Sequence, residues 1–167
     1  MELLQHFEQE FAKLKQELKF KATLEELDAV FFLRDFICEQ KYVSTSLSRQ
    51  ISGRMVALFN NWYGYLHSII VPNPGSMLNI NESNEFDEEE KAEIMHVMNN
   101  FIRLSVLNGQ NGLTKDRKAE AKFIDDALDT WNKFKPVTLK ITTRTYELWD
   151  KKSKTMPKAK KPESHYG

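Results

Sequence analysis

Between Leu47 and Ile69 an apolar residue returns every three or four positions: Leu47, Ile51, Met55, Leu58, Trp62, Leu66 and Ile69. That spacing lays one stripe along one side of an α-helix. It fits no β-strand, where the period is two. The stripe is the longest continuous pattern in the chain, so it predicts a central helix against which the rest must pack. Ser44 or Ser46 can cap its start. The run V-P-N-P-G-S at 71–76 stops it, because a residue before proline is pushed out of the helical region.

Similar stripes lie on both sides. Leu3, Leu4, Phe7, Phe11, Leu14 and Leu18 predict a helix from about Glu2 to Phe20. Thr23 with Glu26 spells a capping box, with Ala22 and Leu27 as a small staple. The apolar set behind it, Leu24, Leu27, Val30, Phe31, Leu33, Phe36 and Ile37, is broad enough for contacts on two sides. A polar loop is expected from Asn73 to Asn84. Asp87 with Glu90 caps the next helix, whose core face is Ile94, Val97, Met98, Phe101, Ile102 and Leu104. Gly109 is expected to end it, and Thr114 to cap a helix burying Phe123, Ile124, Ala127, Leu128 and Trp131. Residues 137–149 alternate like a strand in part, yet also share one broad helical side. A lone strand in a helical chain has no pairing partner, so helix is the reading chosen, with Pro136 in its first turn. The fold class is therefore all-α, a bundle of four to six helices.

Apolar residues make up 41% and charged residues 29% of the 167, as in globular chains. The single cysteine, Cys38, makes an intrachain disulfide impossible and favours a reducing compartment. It falls in an apolar run and reads as a buried structural thiol. The N-terminus has neither a basic start nor a long apolar run, so it is not read as a signal peptide. No stretch approaches the roughly 20 apolar residues that cross a bilayer. A cytoplasmic protein without a membrane partner is expected.

Net charge is zero, but it is unevenly spread. From Lys151 onward the chain reads KKSKTMPKAKKPESHYG, with six lysines against one glutamate. An acidic body, 1–150, thus carries a basic tail, 151–167, that is expected to be disordered when free. Lys151, Lys152, Lys154, Lys158, Lys160 and Lys161 suit phosphate neutralisation, which points to RNA or a ribonucleoprotein. A second basic group follows the run G-Q-N-G: Lys115, Arg117 and Lys118 at a predicted helix start, where free N–H groups attract anions. A plain helix–helix connection with a glycine stop explains the same residues.

The acidic motifs are the main alternative. Glu89, Glu90 and Glu93 spell E-E-x-x-E, and Asp126 with Asp129 spells D-x-x-D. Carboxylates three or four apart share a helical face and can hold Mg²⁺ against a diphosphate. These motifs partly resemble those of the MazG-like all-α nucleoside triphosphate pyrophosphatases, which pair E-E-x-x-E with E-x-x-D. The resemblance covers only the two motifs, with Asp at position 126 and a wider gap between them. It implies Mg²⁺ on Glu89, Glu90, Glu93, Asp126 and Asp129. Acids in a first helical turn are also ordinary partners of the helix dipole.

Other candidates are weaker. Asp125, Asp126 and Asp129 also spell the D-D-x-x-D of isoprenoid synthases, which are far longer chains. Glu93 and His96 have the E-x-x-H spacing of di-iron bundles, but no second such motif occurs. His67, after Trp62, Tyr63 and Tyr65, has no nucleophile beside it and reads as a hydrogen-bonded residue at the core edge. Arg49 and Arg54 can reach an anion or pair with acids of neighbouring helices. The leading expectation is a non-catalytic binding module without cofactor. A Mg²⁺ pyrophosphatase comes next, then a self-associating protein using exposed aromatics of the central helix.

Overall fold

The computed structural model describes residues 2–155. Among them are seven α-helices and no strand: α1 (Glu2–Leu18), α2 (Leu24–Phe31), α3 (Leu33–Gln40), α4 (Leu47–Ile70), α5 (Met77–Ser83), α6 (Glu88–Thr114) and α7 (Arg117–Lys154). None is long and apolar enough to cross a membrane. The all-α expectation stands, while the count of four to six gives way to seven for identifiable reasons.

The apolar run 24–37 is two helices because Phe32 turns left-handed, with φ 53°. Asp28 holds the reversal: its carboxylate accepts from Arg34 N at 2.8 Å and from Arg34 Nη1 at 2.9 Å. Cys38 then falls on the outer side of α3 and is exposed, contrary to the buried thiol expected, because Leu33 and Ile37 take the inner side. The polar loop contains α5, capped by the Ser76 hydroxyl. Gly109 and Gly112 do not stop α6. Lys115 takes the left-handed C-cap instead, with φ 54°, and Asp116 rather than Thr114 caps α7. Pro136 lies inside α7, so the two last predicted helices are one of 38 residues, roughly 57 Å long. The helix runs on through Lys154, taking in the first four residues of the expected disordered tail. Lysines suit a helix C-terminus, and Lys154 pairs with Asp150 one turn back at 2.7 Å. Residues 156–167, with Lys158, Lys160 and Lys161, lie outside the described residues.

The frame is the trio α4, α6 and α7, whose mutual contacts are the most extensive in the molecule. Cross-links give the directions. Arg49 meets Asn108 and Asn60 meets Ser105, so α4 and α6 are antiparallel. Ser48 meets Glu120 and Tyr65 meets Thr145, so α4 and α7 run parallel. α1 packs on α3, α4 and α7. Asp125 of α7 secures the α1–α2 turn, accepting from the backbone N–H of Lys21 and Ala22 at 2.9 Å.

At the centre stands Phe59. Its ring lies 5.9 Å from Phe31, 4.9 Å from Phe101 and 6.5 Å from Trp131, between centroids. The predicted α4 stripe is displaced here. Phe59 is fully buried, while Leu58 and Trp62 are only partly buried at the margin. A straight helix turns 100° per residue, so adjacent 58 and 59 cannot both face one line. Phe59→Ala is expected to cost about 3–5 kcal/mol and Leu58→Ala clearly less, by urea unfolding. Equal costs would return the core line to the predicted stripe.

Candidate functional site

At one end of the bundle α4 begins, α6 ends, α7 begins and the second half of α1 passes. They enclose a cleft of about 730 Å³ rimmed by Lys13, Glu17, Ser44, Arg49, Lys115 and Arg117. At its floor lies Glu120, whose side chain is only 5% exposed. A buried carboxylate is costly unless paired. Here Ser48 Oγ donates to it at 2.5 Å and Arg49 Nε stands 3.5 Å away. Arg49 Nη1 also donates to the backbone and side-chain oxygens of Asn108, both at 3.1 Å. The guanidinium lies across α6 at Gly112, where a Cβ would stand 2.7 Å from Arg49 Nη2. Gly112 is thus a clearance for an arginine rather than a helix stop. Sequence reading missed Ser48 and Glu120, and took Gly112 only as part of a glycine-containing connection. An acid three residues past a helix start gives no hint that the chain will bury it.

The basic residues predicted at this end divide. Arg117 is neutralised by Glu17, at 2.5 and 3.0 Å. Lys115 is exposed on the cleft rim. Lys118 faces a second hollow of about 740 Å³, shared with Lys19 and Lys122. Lys19 and Lys122 are new to this group; they sit about 100 residues apart in sequence, and only the docking of α1 on α7 brings them together. At the far end of α7, Lys151 and Lys152 line a hollow of about 360 Å³ with Arg144 and Glu147. Lys152 lies 5.3 Å from the Trp149 ring centroid. Trp149 Nε1 in turn donates to the buried Glu82 at 2.8 Å.

The structure does not bring the predicted metal residues together. Glu90 accepts from Arg144, and Lys140 stands 3.5 Å from Glu90 and 3.7 Å from Glu93. Lys140 lies 14 residues beyond Asp126 on the same helix, roughly 21 Å. Asp129 and Glu89 are exposed. Among the described residues no group of three or more His, Cys, Asp or Glu is placed to hold a metal ion. His96 is exposed on α6, its ring edge-on to Phe134 at 5.4 Å. His67 is exposed and stacked on Tyr63 at 5.8 Å, away from the core-edge hydrogen bond expected. Arg54 spends its Nε on the Phe31 carbonyl at 2.8 Å. No protein-family model, curated protein or solved structure matches the chain.

Two outcomes follow from these pairings. Ser48→Ala leaves the buried Glu120 carboxylate short of a donor and is expected to cost about 1.5–3 kcal/mol. In a Glu120→Leu background the same change is expected to cost far less, so a double-mutant cycle by urea unfolding gives strong coupling. The second concerns acid. The Arg144 hydrogen bond, then the Asp87 N–H, hold the Glu90 carboxyl below its ordinary range. A depressed carboxyl stabilises above its unfolded pKa of about 4.3, and that part is lost as pH falls through the folded value. Glu90→Gln is therefore expected to flatten the acid limb of the melting temperature against pH; an unchanged limb would assign acid sensitivity elsewhere.

Proposed function

We propose that this protein is a non-catalytic binding module of the cytoplasm that contacts RNA, alone or within a ribonucleoprotein, through lysines at the two ends of α7. The observation that carries the reading is their placement. Lys118 and Lys122 stand at the start of α7 beside Lys19, and Lys151, Lys152 and Lys154 form its last turn. The three further lysines of the sequence, Lys158, Lys160 and Lys161, follow directly. Lysine is a compact, hydrated point charge well suited to phosphates. A helix of this length spaces the two groups by roughly 50 Å, more than one turn of duplex nucleic acid. The carboxylates of the Mg²⁺ alternative are spent on Lys140 and Arg144 or stand apart, so the binding reading ranks above it.

The test is binding to a labelled single-stranded RNA, followed by anisotropy at stepped salt concentrations. The intact chain is expected to lose affinity linearly in log salt. Replacing Lys151, Lys152 and Lys154 by Gln should reduce the slope by about 0.7 per lost contact. Truncation after Thr155 and the triple change Lys19→Gln, Lys118→Gln, Lys122→Gln should each reduce it further. Slopes and affinities equal to those of the intact chain would make the lysines solubilising groups only.

A further inference from the structure

The outer face of α6 carries a line of apolar side chains that the described chain leaves partly or largely uncovered. Met95 is 49% exposed, Ile102 39%, Val106 68% and Leu113 88%. At 100° per residue these four fall within about 40° of one another, opposite the buried Val97, Phe101 and Leu104. Single exposed apolar residues are ordinary; a continuous line of them along a helix marks an interaction surface.

The line is symmetric about Leu104. Ile102 and Val106 stand two residues either side, Asn99 and Gly109 five, Met95 and Leu113 nine. We propose that two copies of this chain pair through α6, antiparallel about a two-fold axis at Leu104. An isologous contact requires a patch complementary to itself, and this symmetry supplies it. Ile102 of one copy meets Val106 of the other, and Met95 meets Leu113, at both ends of the contact. Asn99 lies over Gly109, whose missing Cβ has nothing within 4 Å inside its own chain. A glycine inside a helix costs about 1 kcal/mol against alanine, so a close approach from outside gives it a reason. Arg103, beside the line at its midpoint, can lay its stem on the second copy's Val106 and keep its charge in water.

The charges agree with the same direction. Antiparallel pairing brings the acidic first turn of one α6, with Glu88 and Glu89, to the other copy's α6–α7 turn, where Lys115 is exposed. Each helix N-terminus also meets a C-terminus, which suits the two dipoles. Parallel pairing would set acid against acid. The paired lines bury on the order of 800 Å² of apolar surface, and the flanking polar residues bring the contact towards the ~1,200 Å² where specific interfaces begin. This inference does not depend on the RNA reading.

Sedimentation of the full chain, without nucleic acid, should give a species of twice the 19.6 kDa chain mass as concentration rises. Val106→Glu should sediment as a monomer with unchanged helical circular dichroism, since that side chain is largely outside the fold. Orientation is read by disulfide formation in a Cys38→Ser background. Met95→Cys protein mixed with Leu113→Cys protein should cross-link readily, and either alone at least tenfold more slowly. A wild-type chain that stays monomeric, a Val106→Glu chain that stays dimeric, or equal cross-linking in the unmixed samples would overturn the proposal.

Discussion

Phe59 is the point on which the arrangement depends. Its ring touches rings from α2, α6 and α7, and Phe101 passes the contact on to Phe134 at 6.3 Å. Aromatic contacts add directional preference to area burial, so a connected set of rings fixes rotations as well as distances. Once α4 has its Phe59 side turned inward, its first two turns must carry Ser48 and Ser52 into the interior as well. A polar group buried there needs a partner. Ser48 finds it in Glu120, and Ser52 in the backbone oxygen of Ser48 at 2.7 Å. The polar floor of the cleft is therefore a consequence of the aromatic centre.

Much of the fold was legible because helix periodicity and caps are local. The boxes at Thr23–Glu26 and Asp87–Glu90 form as written, with both side-chain and backbone bonds in place. What failed was punctuation. Gly109 was read as a stop, Gly112 as part of a connection and Pro136 as the first turn of a separate helix, yet each lies within a helix. Glycine stops a helix only when the chain leaves through a left-handed residue, and here Lys115 does that. Proline removes one hydrogen bond, a loss that a 38-residue helix packed against α4 and α6 can absorb. The site was less legible than the fold. Its basic group joins Lys19 to Lys118 and Lys122, and its acidic floor joins Ser48 to Glu120, pairs set by docking across long separations.

The two cationic residue types do different work. Arg34 bonds Asp28 and Glu8, Arg49 reaches Glu120 and Asn108, Arg54 the Phe31 carbonyl, Arg117 Glu17, and Arg144 Glu90 with the Glu85 carbonyl. Apart from the Arg34–Asp28 contact, these bonds join elements distant in sequence. A planar fork with several donors suits that role, because one side chain can tie two acceptors in fixed geometry. The lysines at the ends of α7 make few such ties. Their charge is available to a partner for the same reason that it adds little to the fold.

The proposed α6 pairing bears on where that charge would gather. Within one chain α7 returns antiparallel to α6, so the two basic ends of α7 lie at opposite ends of the bundle. A two-fold axis perpendicular to α6 inverts the second copy. Each end of the dimer then carries the start of one α7, with Lys118 and Lys122, and the last turn of the other, with Lys151, Lys152 and Lys154. Groups roughly 50 Å apart along one α7 then come within roughly 30 Å of each other between chains, across the two α6 helices. Linked sites of this kind raise affinity through effective concentration without any new contact. Apolar pairing on α6 and lysine display on α7 are thus separate surfaces that one symmetry operation would join.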